Sequence, residues 1–309
     1  MSIISLNKSD FFKNFKKFSS VFLSKEHLDL HIEENKDCIY LVNSNNSLGI
    51  FLRIFQDEAR NPYAAPFGGI LTKDNRTEWS KINEFILDLI SYLADVGIKK
   101  LYLSLPAPFY GSNSSTKIIN SLFLGKFTIK FTPEINSHIS LSNYDEVSYS
   151  KNIKEIIRKT LRHKLSIKEV YDEAEKLTAY KIVKENRISK SRNMSISYNH
   201  LRSLDTLCCT RYFIVKNSKS EPVASAITFR TAENIIYAQF WGDNLIGREL
   251  NAMDFLCVNM VQLFKKEGWL IFDLGISSEN GIPNSGLLRF KESHLFDSTL
   301  RFSIDISID

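Results

Sequence analysis

Hydrophobic and polar positions follow two rhythms along this chain, and the same succession of rhythms occurs twice. In the first half, Cys38–Asn43 and residues 49–55 are short runs rich in β-branched and aromatic side chains, which predicts strands. The segment Tyr63-Ala64-Ala65-Pro66-Phe67-Gly68-Gly69 is expected to be extended. Beyond it, Ile82, Phe85, Ile86, Leu89, Ile90 and Leu93 recur at the spacing of one helix face. Thr77 is placed to cap that helix and Gly97 to stop it, and residues 98–105 then form a strand that Pro106 ends.

In the second half, residues 210–216 and 222–229 predict a hairpin across Asn217-Ser218-Lys219-Ser220, and residues 235–241 a further strand. Residues 253–264 form the matching helix, apolar on more than one side and so deeply buried. Gly268 stops it, and residues 269–275 are the matching strand. Leu300, Phe302, Ile304, Ile306 and Ile308 alternate strictly, which predicts a half-buried strand at the edge of the second sheet. Between the halves, residues 151–168 and 169–192 read as helices rich in positive charge. The economical architecture is α/β: two mixed sheets in tandem, each with helices on its faces, divided as residues 1–148 and 149–309.

Composition narrows the picture. A chain of 309 residues with 43% hydrophobic and 12% aromatic residues fits two domains with real cores and excludes wholesale disorder. The net charge of +5 is too small to mark a nucleic-acid binder, though it leaves room for a local patch. One candidate is the run Lys151, Lys154, Arg158, Lys159, Arg162, Lys164, Lys168, continued by Lys181, Lys184, Arg187 and Arg192. It is either a solvated helix face or a site for the phosphate of a sugar nucleotide, coenzyme A or tRNA. The best apolar run, residues 85–90, is broken by Asp88 and falls far short of the ~20 residues a membrane span needs. The first ten residues lack the apolar core of a signal peptide. Cys38, Cys208, Cys209 and Cys257 show no CxxC spacing, so reduced thiols and a cytoplasmic location are expected. His27 and His31 are four apart but lack a third ligand, so no metal is expected. His163 and His200 lie outside any motif.

The succession strand, strand, long helix, strand, twice over, resembles a duplicated GNAT acyltransferase fold. The second half carries further motifs: Ala179-Tyr180-Lys181-Ile182 with Asn186-Arg187, Phe240-Trp241-Gly242, Phe272-Asp273-Leu274-Gly275-Ile276-Ser277, Asn284-Ser285-Gly286-Leu287, and Phe290-Lys291. Together these resemble the Fem-type branch, whose members include transferases that build peptidoglycan interpeptide bridges. The resemblance implies acyl transfer from an acyl-CoA or an aminoacyl-tRNA to an amine. The superfamily's glycine-rich phosphate loop is replaced here by Gly242-Asp243-Asn244-Leu245-Ile246-Gly247-Arg248, whose glycines are out of register, and no long heptad hairpin is present. Gly247 and Arg248 are the candidate cofactor contacts, through N–H groups at the following helix start.

Two residues are candidates for the chemistry. Asp273 interrupts an apolar strand near its carboxyl end, either as general base or substrate anchor, or as a carboxylate accepting N–H bonds from the turn after it. Lys291 is implied by the resemblance to polarise the donor ester, a cation beside a developing oxyanion; the bland alternative is a surface lysine. Trp241 and Ser277 stand at strand ends, and Arg187, Asn284 and Arg289 are candidate polar contacts. Tyr63 and Phe67 of the first half are candidates for another wall, or for core. The expected acceptor is an amino sugar of a nucleotide- or lipid-linked surface-glycan precursor. The rivals are a tRNA-dependent bridge-type transferase and a non-catalytic module that binds the glycan precursor. The oligomeric state is not legible.

Overall fold

The computed structural model describes residues 3–15, 18–31, 37–74, 76–111, 113–194 and 196–308. In chain order the first elements are β1 (Ile3–Leu6), α1 (Lys8–Asn14), α2 (Lys25–Asp29), β2 (Cys38–Asn43), β3 (Leu48–Phe55), β4 (Glu58–Asn61), β5 (Leu71–Thr72), α3 (Trp79–Asp95), β6 (Lys100–Ser104) and α4 (Asn113–Leu124). Then come β7 (Thr128–Ser140), α5 (Lys151–Arg162), β8 (Ser166–Val170), α6 (Glu173–Ser189), α7 (Tyr198–Ser203), β9 (Arg211–Lys216), β10 (Pro222–Ala232) and β11 (Ile235–Asp243). The chain closes with α8 (Leu245–Glu249), α9 (Ala252–Lys266), β12 (Ile271–Ile276), β13 (Ser278–Glu279), β14 (Ile282–Pro283), α10 (Ser285–Ser293) and β15 (Asp297–Ser307).

Two compact units result, and neither is one continuous stretch. Unit 1 takes residues 1–135, 278–282 and 299–309; unit 2 takes residues 136–277 and 283–298. In unit 1 the strands are ordered β1-β2-β3-β4-β6-β15, with β5 alongside β3. Every pairing is antiparallel except β4 with β6, which is parallel. In unit 2 the order is β8-β9-β10-β11-β12-β7, again antiparallel except for the parallel pair β11–β12. The order and sense of the strands thus repeat, as the sequence periodicity predicts.

Three local expectations are corrected. The alternating strand near residue 300 closes the sheet of unit 1, pairing Ser303 with Ser104 and Ile306 with Leu101, rather than the second sheet. The charged stretch after α5 is broken by strand β8 before α6 begins. The extended strand of the first half is β4, and residues 62–66 bend away from it.

The cores follow the predicted faces. In unit 1, α3 buries Ile82, Phe85, Ile86, Leu89, Ile90 and Leu93 on a sheet whose β15 supplies Ile304 and Ile306. Thr77 does not cap α3: its hydroxyl donates to the Asp74 carbonyl, and Glu78 holds the cap position without a capping side-chain bond. Gly97 and Gly268 end α3 and α9 in the left-handed region, where an L side chain is strained. In unit 2, α9 buries residues on most of its circumference, Phe255, Leu256, Cys257, Val258, Met260, Val261 and Phe264 among them. Each such apolar side chain contributes roughly 1.5–3 kcal/mol. Helix α9 is therefore a rigid support for the residues of its first turn.

Candidate active site in the second unit

Parallel strands β11 and β12 are paired only over Ile235–Ile271, Ile236–Phe272 and Tyr237–Asp273. Beyond Tyr237 they splay. The cause lies in β12, where Gly275 has φ +66° and its pairing to β7 shifts register between Asp273 and Ile276. A β-carbon on Gly275 would stand 2.8 Å from the Tyr237 hydroxyl, so this turn needs glycine for two reasons at once. Residues 238–243 keep β10 on one side, and among the described residues no strand pairs with them on the other.

Lys291 braces the β12 side of this wedge. It comes from α10, is 1% exposed, and its Nζ donates to the carbonyls of Leu274 and Gly275 at 2.9 Å and of Ile276 at 3.3 Å. Burial pushes the ammonium down to about 7, against the opposing pull of Asp273 and Cys257. Asp273, fully buried, accepts through Oδ1 from the Asn136 side chain and from the Gly275 N–H, both at 2.8 Å. The turn-anchoring bond expected of a structural carboxylate is therefore present, and Asp273 does not reach the surface of the cleft described next.

That cleft has a volume of about 560 Å³ and opens beside the end of β11. Its apolar floor is Trp241, Met253, Leu287 and Phe290, with the Trp241 and Phe290 rings in an edge contact at 5.7 Å. Lys190, Arg192 and Arg248 bring cations to it; Asp243 and Asp254 bring carboxylates. Asp243 is buried under this rim, which raises its carboxyl above the ordinary value although Lys190 and Arg248 pull it back. Lys190 is exposed as a residue, yet partial desolvation and the neighbouring Arg248 and Arg192 hold its ammonium below its usual value, against the pull of Asp243. Three cations around one cavity suit an anionic ligand.

The structure distributes the sequence candidates unevenly. Trp241, Arg248 and Asn284 line the cleft, Asn284 also capping α10 by accepting from the Leu287 N–H. Gly247 does not line it: its N–H is spent on Asn244 Oδ1, and a β-carbon there would collide with the Val223 carbonyl. Ser277 is buried against Ser137 Oγ at 2.9 Å. Arg187 donates to the Asn193 carbonyl and lies over the Phe240 ring, and Arg289 is exposed on α10. Tyr63 and Phe67 are core residues of unit 1. Phe67 packs on Phe22, Tyr110 and the Arg301 guanidinium, while Gly68 N–H bonds the Ser104 carbonyl. The segment they belong to lies against the ends of β4 and β6, the parallel pair equivalent to β11–β12, held there by Asn61 Oδ1 accepting from Gly69 N–H.

Sequence reasoning missed Lys190, Asn251, Met253 and Asp254 as cleft residues. A usable signal existed for Asp254, a carboxylate in the first turn of an otherwise buried helix. Among the described residues no three His, Cys, Asp or Glu side chains gather as a metal site, no helix is long and apolar enough to cross a membrane, and the four cysteines form no disulfide.

No protein-family model matches the chain, and no curated protein matches it in sequence. Solved structures do. FemX aligns over 98% of this chain and 97% of its own with a TM-score of 0.62 at 9% identity. The C-terminal domain of a putative lysylphosphatidylglycerol synthetase from Agrobacterium fabrum aligns over 97% and 92% with a TM-score of 0.61 at 11% identity. L-PGS from Bacillus licheniformis aligns over 97% and 90% with a TM-score of 0.60 at 12% identity. With the repeated strand order and the splayed parallel pair, these likenesses give the chain the fold that FemX and L-PGS share, a GNAT-like fold.

Proposed function

We propose that this protein is an N-acyltransferase that moves an acyl or aminoacyl group onto an amine in the cleft of unit 2. The carrying observation is the wedge between β11 and β12, which leaves residues 238–243 without a strand partner on one side among the described residues, next to a cavity rimmed by Lys190, Arg192 and Arg248. Unpaired backbone N–H groups in such a wedge can hold the oxygen of a tetrahedral intermediate, and the cations can hold the phosphate of an activated donor. Lys291 stands at the base of the wedge. Its longest bond, 3.3 Å to the Ile276 carbonyl, is the one it would release to face an oxyanion. Asp273 supports it by fixing the Gly275 turn and by supplying the nearby opposite charge. The acceptor in this reading is an amino sugar of a nucleotide- or lipid-linked surface-glycan precursor.

A second reading takes aminoacyl-tRNA as the donor. It is favoured by the cations of α5, where Arg158 and Arg162 have side chains 70% and 71% exposed, and by the adjoining groove that Arg162, His163, Lys164 and Lys219 line. Coenzyme A is the donor if the cleft cations suffice. Calorimetry with acetyl-CoA and with a charged tRNA, followed by mass spectrometry of amino-sugar acceptors, separates the two. Donor binding without transfer to any amine would favour the non-catalytic module.

A further inference from the structure

His294, at the C-terminal cap of α10, is fully buried, and its ring lies against Phe290 at 4.4 Å. Its Nδ1 is 2.8 Å from the Phe290 carbonyl oxygen. A carbonyl only accepts, so Nδ1 carries a hydrogen. In a neutral ring Nε2 would then present a bare lone pair. What it faces is Asp254 Oδ1 at 3.4 Å, also an acceptor when ionised. Two lone pairs do not face one another in a buried site without cost. A proton on either group turns this contact into an attraction; in the structure Nε2 itself makes no hydrogen bond. Asp254 also lines the cleft, with its Oδ1 toward His294, so one carboxylate stands between the cavity and the buried ring.

We propose that Asp254 is the proton-transfer residue of the cleft and that His294 is its positioning residue, holding the shared proton that orients the carboxylate. This rests on the acyltransferase reading. In the step, the lone pair of the acceptor amine forms the N–C bond to the donor carbonyl carbon, whose π electrons move to oxygen. Asp254 takes a proton from the now positive nitrogen. The bond from carbon to the leaving oxygen or sulfur then breaks, the carbonyl re-forms, and Asp254 returns the proton to the leaving atom. One proton passes from nitrogen to the leaving group and nothing is oxidised or reduced.

The surroundings of the pair are defined. From α9, the Cys257 thiol follows Asp254 by three positions and is pushed up by burial and by that carboxylate. From α10 come Lys291 and the Phe290 ring. Ahead of α5, the Tyr149 ring meets His294 edge-on at 6.2 Å while its hydroxyl pairs with that of Tyr144. The cleft adds Lys190, Arg192, Arg248 and Asp243. Among the described residues, Asp254 is thus the one carboxylate that both lines the cleft and meets a histidine.

The test has two arms. In ¹⁵N spectra of the labelled protein at neutral pH, His294 is expected to carry protons on both nitrogens or to share one with Asp254. It should revert to the plain Nδ1–H form in Asp254→Asn. Wild-type spectra already showing an unperturbed neutral ring overturn the pair. In the transfer assay, Asp254→Asn is expected to lose on the order of 10²-fold or more in kcat together with the acidic limb of the pH profile. His294→Gln should shift that limb with a smaller loss. An active wild-type enzyme whose Asp254→Asn variant folds and keeps both rate and limb overturns the catalytic role alone. A wild-type protein that transfers no acyl group from either donor overturns the acyltransferase reading itself, and the role with it.

Discussion

At the scale of single residues, Lys291 shows how one side chain links fold and chemistry. All three of its N–H donors are held by carbonyls of the β12 turn, so removing it takes a donor from three acceptors, two of them in buried contacts. If it also faces the tetrahedral intermediate, Lys291→Ala should lower kcat by about 10²–10³-fold, the scale of losing one oxyanion stabiliser. Lys291→Arg should rescue only part, because a planar fork cannot meet three carbonyls gathered around one point. A wild-type rate in a well-folded Lys291→Ala protein would assign the motif to structure alone. Stability carries a second signature. The folded lysine titrates near 7 and the unfolded one near its ordinary 10.5, so between these values the unfolded chain binds more protons. Stability should therefore rise with pH from about 7 upward on account of this group. Lys291→Met should abolish that rise, and urea titrations at pH 7 and 8, below the ordinary range of thiols and tyrosines, would measure it. Asp273→Asn keeps the acceptor oxygen for Asn136 and Gly275 but removes the charge that supports the ammonium, so the alkaline limb of the rate profile should move to lower pH. The Phe290-Lys291 motif made Lys291 visible in the sequence. Its partners were not visible, because they lie 15 to 17 positions away in a turn shaped by Gly275.

Elements decide which candidate residues reach the cleft. Gly247 and Arg248 are adjacent in sequence, yet only Arg248 faces the cavity; the helix start buries Gly247 under the Val223 carbonyl and spends its N–H on Asn244. Their substitutions should therefore separate cleanly. Gly247→Ala overpacks the contact and should cost about 1–3 kcal/mol of stability, read as a lower Tm. Arg248→Ala should leave Tm nearly unchanged and weaken an anionic donor by roughly 10-fold or more in calorimetry, as expected for losing one charge-assisted contact. Equal effects of both on donor affinity would show that the phosphate contacts α8 directly. The same scale explains what periodicity revealed and concealed. Helices α3 and α9 were legible because each carries a full apolar face over four turns. Strand β8 was not, because Ile167 and Val170 stand among lysines and glutamates and its partner β9 lies some forty-five positions on.

At the scale of the whole molecule, the repeat of strand order is completed from unexpected places. The strand after α4 gives residues 136–140 to the sheet of unit 2, and the strand after α10 gives residues 299–307 to that of unit 1. Alternation alone announces such a strand but not its sheet, because a polar-out, apolar-in pattern suits either edge equally. The assignment is testable through packing. Ile304 is fully buried in the unit 1 core, among side chains that include Leu101 and Leu103; Ile139 is 3% exposed in the core of unit 2 with Phe272 and Leu274. Truncating either to alanine removes a large buried side chain and should cost about 2–5 kcal/mol. The location of the damage distinguishes them. In hydrogen exchange, Ile304→Ala should first lose protection in β6 and β3, although most of the first half of the chain is far from residue 304 in sequence. Ile139→Ala should first lose protection in β12 and β11, and with them the wedge that shapes the cleft. Acyl transfer should therefore be more sensitive to Ile139→Ala than to Ile304→Ala at equal loss of stability. Protection lost in β11 and β12 after Ile304→Ala, with β6 untouched, would mean that the last strand belongs to the other sheet.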